Sequence, residues 1–314
     1  MNRSSYGWNV LLFVLTFFTL TFQDDIFRLP YLNFATISEI FRVRTPYSFS
    51  LLGILFCHEM GHYLAARYYG IKSTLPYFLP VPFSPVGTMG AVIRIKEPIR
   101  NKIQLFDIGI WGPAMSLVLS IPCIVIGLYN SQLVSLAERT AILQARPELM
   151  DIHFGDSILT YLLSQKILGP FDSSLFTVEY NPLAFAGWVG LLITALNLLP
   201  FGQLDGGHVV YSLAGEGYRK WIYYLFSAFL LLSLWNYSWI LWGLLIYYFI
   251  RVEHPFVPDA SYPIGKFRKI FGWGMLLSFL LIFPISPITV VSSSGTKSSL
   301  GEDLWNILLE VFSK

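Results

Sequence analysis

Seven apolar runs along 314 residues constrain this fold more than any other feature of the chain. They fall near 8–22, 47–69, 105–129, 183–199, 221–235, 239–250 and 271–285. Each approaches the length that a hydrocarbon core of ~30 Å asks of a helix, the fifth and sixth being short. Those two are separated only by Asn236, Tyr237 and Ser238, which predicts a tight helical hairpin. Hydrophobic residues make up 54% of the chain and charged ones 13%, about half the charged share of roughly 25% usual in soluble proteins. A soluble core cannot absorb that much apolar surface, so the bilayer is the expected solvent. A net charge of +2 gives no case for a nucleic-acid partner. Two cysteines, Cys57 and Cys123, are too few for a disulfide framework. The run at 8–22 lacks a small-residue cleavage site before Asp24 and Asp25, and reads as a retained first span.

Basic residues orient the spans. Arg67, Lys72, Arg94, Lys96, Arg100 and Lys102 lie close together against the single acid Glu97. Arg219 and Lys220 precede the fifth run, and Lys266, Arg268 and Lys269 precede the seventh. The segment 130–182 carries three basic and six acidic residues. By the positive-inside rule the basic clusters are cytoplasmic and 130–182 is an extracytoplasmic cap. A seven-span path with its N-terminus inside satisfies every assignment. Between the second and third runs, Pro76, Pro80, Pro82 and Pro85 exclude a regular helix, and an alternating β-branched run ending at Lys96 predicts a strand within 87–96. The expected fold is therefore an all-α polytopic membrane protein of about six or seven transmembrane helices, with a small membrane-associated β-hairpin or sheet on the cytoplasmic side. A short amphipathic surface helix, or else a frayed tail, is expected over 300–312.

The strongest chemical signal is His58-Glu59-Met60-Gly61-His62 inside the second run. On a helix, positions four apart share a face, so both imidazoles converge on one ion. Glu59 is turned from His58 by about 100°, in reach of a water at an open zinc position. Zinc lowers the pKa of bound water to about 7, and a carboxylate removes the proton as that water attacks a carbonyl. Ionisable groups at mid-span cost at least ~2.5 kcal/mol each when unpaired, which also argues for a bound ion or a polar cavity. A catalytic zinc normally has three protein ligands. The best remaining candidate is Asp205, in Asn197-Leu-Leu-Pro200-Phe-Gly202-Gln-Leu-Asp205-Gly-Gly-His208, where Pro200 and Gly202 break the fourth span. A plain helix-end carboxylate is the alternative. His208 is close enough to support the motif, whereas His153 and His254 are expected in solvent.

The pair of motifs, HEMGH in one span and NLLPFGQLDGG in a later one, resembles the site-2 protease family of intramembrane zinc metalloproteases (peptidase family M50) at every fixed position of HExxH and NxxPxxxLDG. The resemblance extends to GTMGAVIRIK, to LFDIG from Leu105 and to Gly112-Pro113, about half the chain in all. It implies that His58, His62 and Asp205 bind one zinc, that Glu59 is the general base and that Asn197 steadies the tetrahedral intermediate. Ser116 departs from the Asn that many members carry near that place. No stretch between the motifs is long enough for the PDZ domain of some members, so the chain resembles a compact type.

A membrane helix hides its carbonyls in its own hydrogen bonds, so cutting it requires unwinding and new backbone partners. The strand within 87–96 is expected to supply them by adding its edge to the substrate, with Gly87, Gly90, Ala91, Val92 and Ile93 as the binding residues. A simple hairpin over the cytoplasmic mouth is the alternative. The organisation then reads as 1–46, first span and external loop; 47–129, catalytic core; 130–182, cap; 183–218, second part of the core; and 219–314, C-terminal spans and tail. The expected partners are transmembrane protein substrates and the lipid bilayer. Lack of an organelle transit signal points to a bacterial plasma membrane, with the site toward the cytoplasmic leaflet. A zinc-binding transporter and a non-cleaving membrane adaptor are the rival functions.

Overall fold

Helices in the computed structural model coincide with all seven apolar runs. It describes residues 3–23, 25–82, 84, 86–145, 151–258, 263–291 and 297–299; the helix expected over 300–312 lies outside them. Helix α1 is Arg3–Phe22, α2 is Phe34–Tyr68, α3 is Lys102–Leu128, α6 is Pro182–Asn197 and α10 is Lys266–Ile282. The fifth and sixth runs become α8 (Ile222–Leu230) and α9 (Ser238–Leu245), each continued by an irregular helical turn. The turn between them is fixed by Asn236, whose side chain accepts from the Ser238 N–H at 2.9 Å, as the spacing leads one to expect. Asparagines also start the central helices. Asn33 accepts from the Thr36 N–H, Asn101 from that of Gln104, and Asn181 from that of Leu183 ahead of Pro182. Each satisfies an N–H that the first turn cannot pair internally.

By its own length and apolarity, one described helix is sufficient to cross a membrane: α3, with 27 residues and a mean hydropathy of 1.9. Helix α2 is longer, 35 residues or about 52 Å, and begins at Phe34 where the sequence reading had an external loop. Its hydropathy is diluted by Glu39, Arg42, Arg44, His58, Glu59, His62 and Arg67. The apolar stretches of the other helices have 17 residues or fewer, Tyr6–Phe22 of α1 among them, and α6 with 16 rises only about 24 Å. Helices α2, α3 and α6 pack against one another, and the three form the centre of the molecule. Outward-facing side chains are apolar and open, among them Val10, Val14, Val118, Leu234, Leu277 and Leu280.

Three small sheets accompany the helices among the described residues, more β structure than the sequence led one to expect. Strands β1 (Tyr77–Pro80) and β2 (Thr88–Val92) form an antiparallel hairpin, pairing Tyr77 with Val92 and Phe78 with Ala91. At its base the Lys96 N–H reaches the Lys72 carbonyl, and Asn9 of α1 donates to Pro76. At its tip Thr19 of α1 donates to the Gly87 carbonyl, and Tyr47 of α2 to that of Val86. Asn9 and Thr19 are ten residues apart on one helix, about 15 Å. The hairpin therefore stands along α1 and α2.

In the 130–182 segment, β3 (Gln132–Ser135) pairs with β5 (Phe176–Glu179), flanked by α4 (Leu136–Ala145) and α5 (Ile158–Ile167). The strand β4 (Asp151–Phe154) pairs with β6 (Ile288–Val291), which follows α10 and is itself extended by β7 (Lys297–Ser299). Segment 130–182 is thus joined through β4 to strands that follow α10.

Candidate metal centre

His58 and His62 follow one another by a turn of α2, and both are buried. Their Nε2 atoms lie 3.1 Å apart. Each ring is held from behind. His62 Nδ1 is 2.6 Å from the Ile108 carbonyl of α3, an acceptor, so this nitrogen carries the proton and Nε2 is left with a free lone pair. His58 Nδ1 is 3.1 Å from the Ser116 hydroxyl, which is itself 2.8 Å from the Thr194 hydroxyl of α6 and 3.0 Å from the Pro113 carbonyl. Oxygen partners behind imidazoles are the usual support of metal-binding histidines, because they fix both tautomer and ring direction.

The third donor arrives from a distant part of the chain. After α6 ends at Asn197, the stretch 198–204 is irregular, and α7 (Asp205–Ala214) then begins at the aspartate. A carboxylate in the first turn is favoured by the helix dipole. Asp205 Oδ2 lies 3.3 Å from His58 Nε2 and 3.4 Å from His62 Nε2. Bonds of ~2.0–2.1 Å to a tetrahedral zinc give ligand–ligand edges of ~3.3–3.4 Å, so the three atoms are spaced as one face of that tetrahedron. Glu59 is also buried, with its carboxylate within 4.8 Å of the histidine donors, and it accepts a hydrogen bond from the Ile93 backbone at the end of β2. Glu59 is thus a further donor within reach of the pair, while the Asp205 oxygen stands at 3.3–3.4 Å from both. Asn197 Nδ2 stands 3.3 Å from His58 Nε2. All five motif residues are therefore brought together.

The hairpin residues divide. Gly87, at φ +81°, has its open side filled by α1, where a Cβ would lie 2.6 Å from Gln23 Oε1 and 3.0 Å from Leu20 Cα. The close approach expected there is thus made by α1. Gly90, at φ +96°, is buried with its N–H donating to the Thr88 hydroxyl but leaves room for a Cβ, Val92 is half exposed and Ile93 touches Glu59. Among the described strands β2 pairs only with β1, so its second edge has no strand neighbour.

Several contributors escaped the sequence reading. Ser116, noted only as a departure, is the support of His58. Gly112 exists because His62 occupies its side-chain space: a Cβ there would fall 2.1 Å from Nε2. Within Leu105–Gly109, the Ile108 carbonyl holds His62, while Asp107 accepts two 2.8 Å bonds from Arg268 of α10 and a third from Tyr69. A backbone carbonyl carries no side-chain signal, which is why its role could not be read beforehand. His254 was expected in solvent but is buried, 3% exposed, and its Nε2 is 2.7 Å from His208 Nδ1.

The chain is 32% identical over 245 residues to the "Probable zinc metalloprotease EGY1, chloroplastic" of Arabidopsis thaliana, covering 76% of this chain and 43% of that protein. It is 29% identical over 316 residues to the "Probable zinc metalloprotease EGY3, chloroplastic" of Oryza sativa subsp. indica, covering 95% and 51% respectively. The chain thus spans about half the length, or less, of these curated relatives. Residues 46–233 match the model of peptidase family M50, and this stretch contains His58, Glu59, His62, Asn197 and Asp205. The chain belongs to peptidase family M50.

Proposed function

We propose that this chain is a zinc metalloendopeptidase that hydrolyses peptide bonds of membrane-spanning substrates inside the bilayer. The observation that carries the reading is the triangle of His58 Nε2, His62 Nε2 and Asp205 Oδ2, at 3.1–3.4 Å separations, with a buried carboxylate beside it. His58, His62 and Asp205 would hold the ion. When bound, zinc supplies a water acidified to about pKa 7 and a Lewis acid for the scissile carbonyl. Glu59 takes the proton of the attacking water and passes it to the leaving amine. Asn197, one hydrogen-bond length from His58, directs its amide toward the developing oxyanion.

The substrate lies against β2. Once unwound, its backbone joins the free edge near Gly90, Ala91, Val92 and Ile93, with Gly87 as the pivot against α1. The Ile93–Glu59 contact supports this arrangement, since it ties the strand's end to the base. A transporter has no need of a base in that slot, and an adaptor has no need of the supports behind each histidine.

The seven helical segments are read as spans, the shorter ones lying within a multi-helix assembly. An odd number puts the chain's two ends on opposite sides. The pairing of β4 in the cap with β6 after α10 supports that parity, because both strands are then extracytoplasmic. Cysteines placed near Lys96 and Arg219 are expected to label from the cytoplasm, and one near Asp156 from outside. A bacterial plasma membrane rests on the sequence reading alone, and a chloroplast membrane on the names of the relatives. The test of function is co-expression with a panel of single-span membrane proteins, comparing the chain with its Glu59→Gln form. Cleavage that requires Glu59 supports the protease. Metal flux through proteoliposomes with no cleavage of any panel member would favour the transporter.

A further inference from the structure

The loop that delivers Asp205 is held by chain lying beyond the residues matched by the family model. After α9, Arg251 adopts φ +68° and ψ 149°, a region that is nearly glycine-only, and is the one described non-glycine residue with positive φ. This turn folds residues 252–254 back onto the irregular stretch before α7. The Gly202 N–H donates to the Val252 carbonyl at 3.0 Å, and a Cβ on Gly202 would lie 2.2 Å from the Arg251 carbonyl. His254 then reaches α7. Its ring stacks on Tyr211, with centroids 4.6 Å apart and planes at 19°, and its N–H donates to the Tyr218 hydroxyl.

The hydrogen-bond directions follow from one fixed acceptor. His254 Nδ1 is 2.6 Å from the Pro255 carbonyl, which can only accept, so Nδ1 carries the proton. His254 Nε2 is therefore an acceptor, and His208 Nδ1, 2.7 Å away, must donate to it. His208 lies one turn after Asp205 on α7, and its Cβ is packed where a Gly109 Cβ would stand at 2.7 Å, beside the Ile108 carbonyl that holds His62. One chain of contacts thus runs from Pro255 through His254 and His208 to the first turn of α7.

We infer that His254 is a positioning residue for the metal centre, fixing His208 and through it the helix turn that presents Asp205. The inference rests on the metal-site reading above. It makes the segment after α9 part of the catalytic unit. Partners behind metal ligands are worth about 10–100-fold in metal affinity. Purified wild type, H254L, H254Q, H208F and H58A are loaded with zinc, and zinc loss to a chelator is followed together with the absorption spectrum of the cobalt-substituted forms. Leucine keeps the bulk of the ring and removes the acceptor; glutamine restores an acceptor at that place. H254L and H208F are expected to lose zinc about tenfold faster or more with altered cobalt bands, and H254Q to stay near wild type. If H254L fails to fold, H208F against H254Q makes the same comparison. Wild-type retention in H254L or H208F, or equal loss in H254L and H254Q, overturns the inference. If H58A keeps its zinc, the metal-site reading itself fails, a separate outcome.

Discussion

The donor cluster and the β2 edge meet at Glu59, yet they are built in opposite ways. In the cluster every donor is a side chain, and each histidine is braced by an oxygen behind it. At the strand the available groups are backbone: a Cβ on Gly90 would meet nothing within 4 Å, and Val92 is half exposed. A metal site needs particular atoms at fixed separations, whereas an added strand needs only a regular row of N–H and C=O groups. The two regions should therefore respond to different kinds of substitution.

The largest effect is expected in the cluster. His62→Ala removes a corner of the donor triangle and should abolish both stoichiometric zinc and cleavage, as read by metal analysis and a membrane-substrate assay. Gly112→Ala should come next. Its Cβ would stand 2.1 Å from His62 Nε2 and 2.3 Å from Cε1, so the ring must leave its place and most of the zinc should go with it. Ser116→Ala leaves the ligands intact and strips His58 of its support, so zinc affinity should fall by about 10–100-fold while high zinc restores activity. At the strand the pattern should reverse. Val92→Pro deletes a donor and fixes φ, so cleavage should drop by about tenfold at unchanged zinc content. Ile93→Val should change cleavage less than about twofold, because the backbone N–H that reaches Glu59 is retained. If Val92→Pro cleaves at the wild-type rate, the hairpin only lines the site, and the comparison between the regions collapses.

What could be read from the sequence follows the same division. Side-chain chemistry at fixed spacing is visible, so His58, Glu59, His62, Asn197 and Asp205 could be gathered before any coordinates. The hydrophobic runs likewise located every long helix. The support by Ile108 was invisible because any residue type offers a carbonyl. Ser116 looked like a mere departure, since a short hydroxyl reaches His58 only when α3 comes as close as Gly61 and Gly112 allow; a Cβ on Gly61 would be 2.3 Å from the Trp111 carbonyl. His254 looked like a loop histidine because its burial depends on the turn at Arg251, which nothing local in the sequence announces. The hairpin's existence was legible from its alternation, but its placement along α1 was not, being set by long-range contacts of Asn9, Thr19 and Tyr47. The β4–β6 pairing joins residues more than 130 positions apart and leaves no local trace either.

In the proposed mechanism labour is divided: Asp205 completes the ligand set and Glu59, its neighbour in space, moves the proton. The most direct test is paired: zinc content and cleavage of one membrane substrate, measured on purified Glu59→Gln and Asp205→Ala. Glutamine keeps the shape of Glu59 and removes its basicity, so that form should hold one zinc per chain and cleave nothing. Asp205→Ala should be deficient in zinc and inactive. Full zinc and full activity in Asp205→Ala, or zinc loss in Glu59→Gln, would contradict the account and make Glu59 the third ligand.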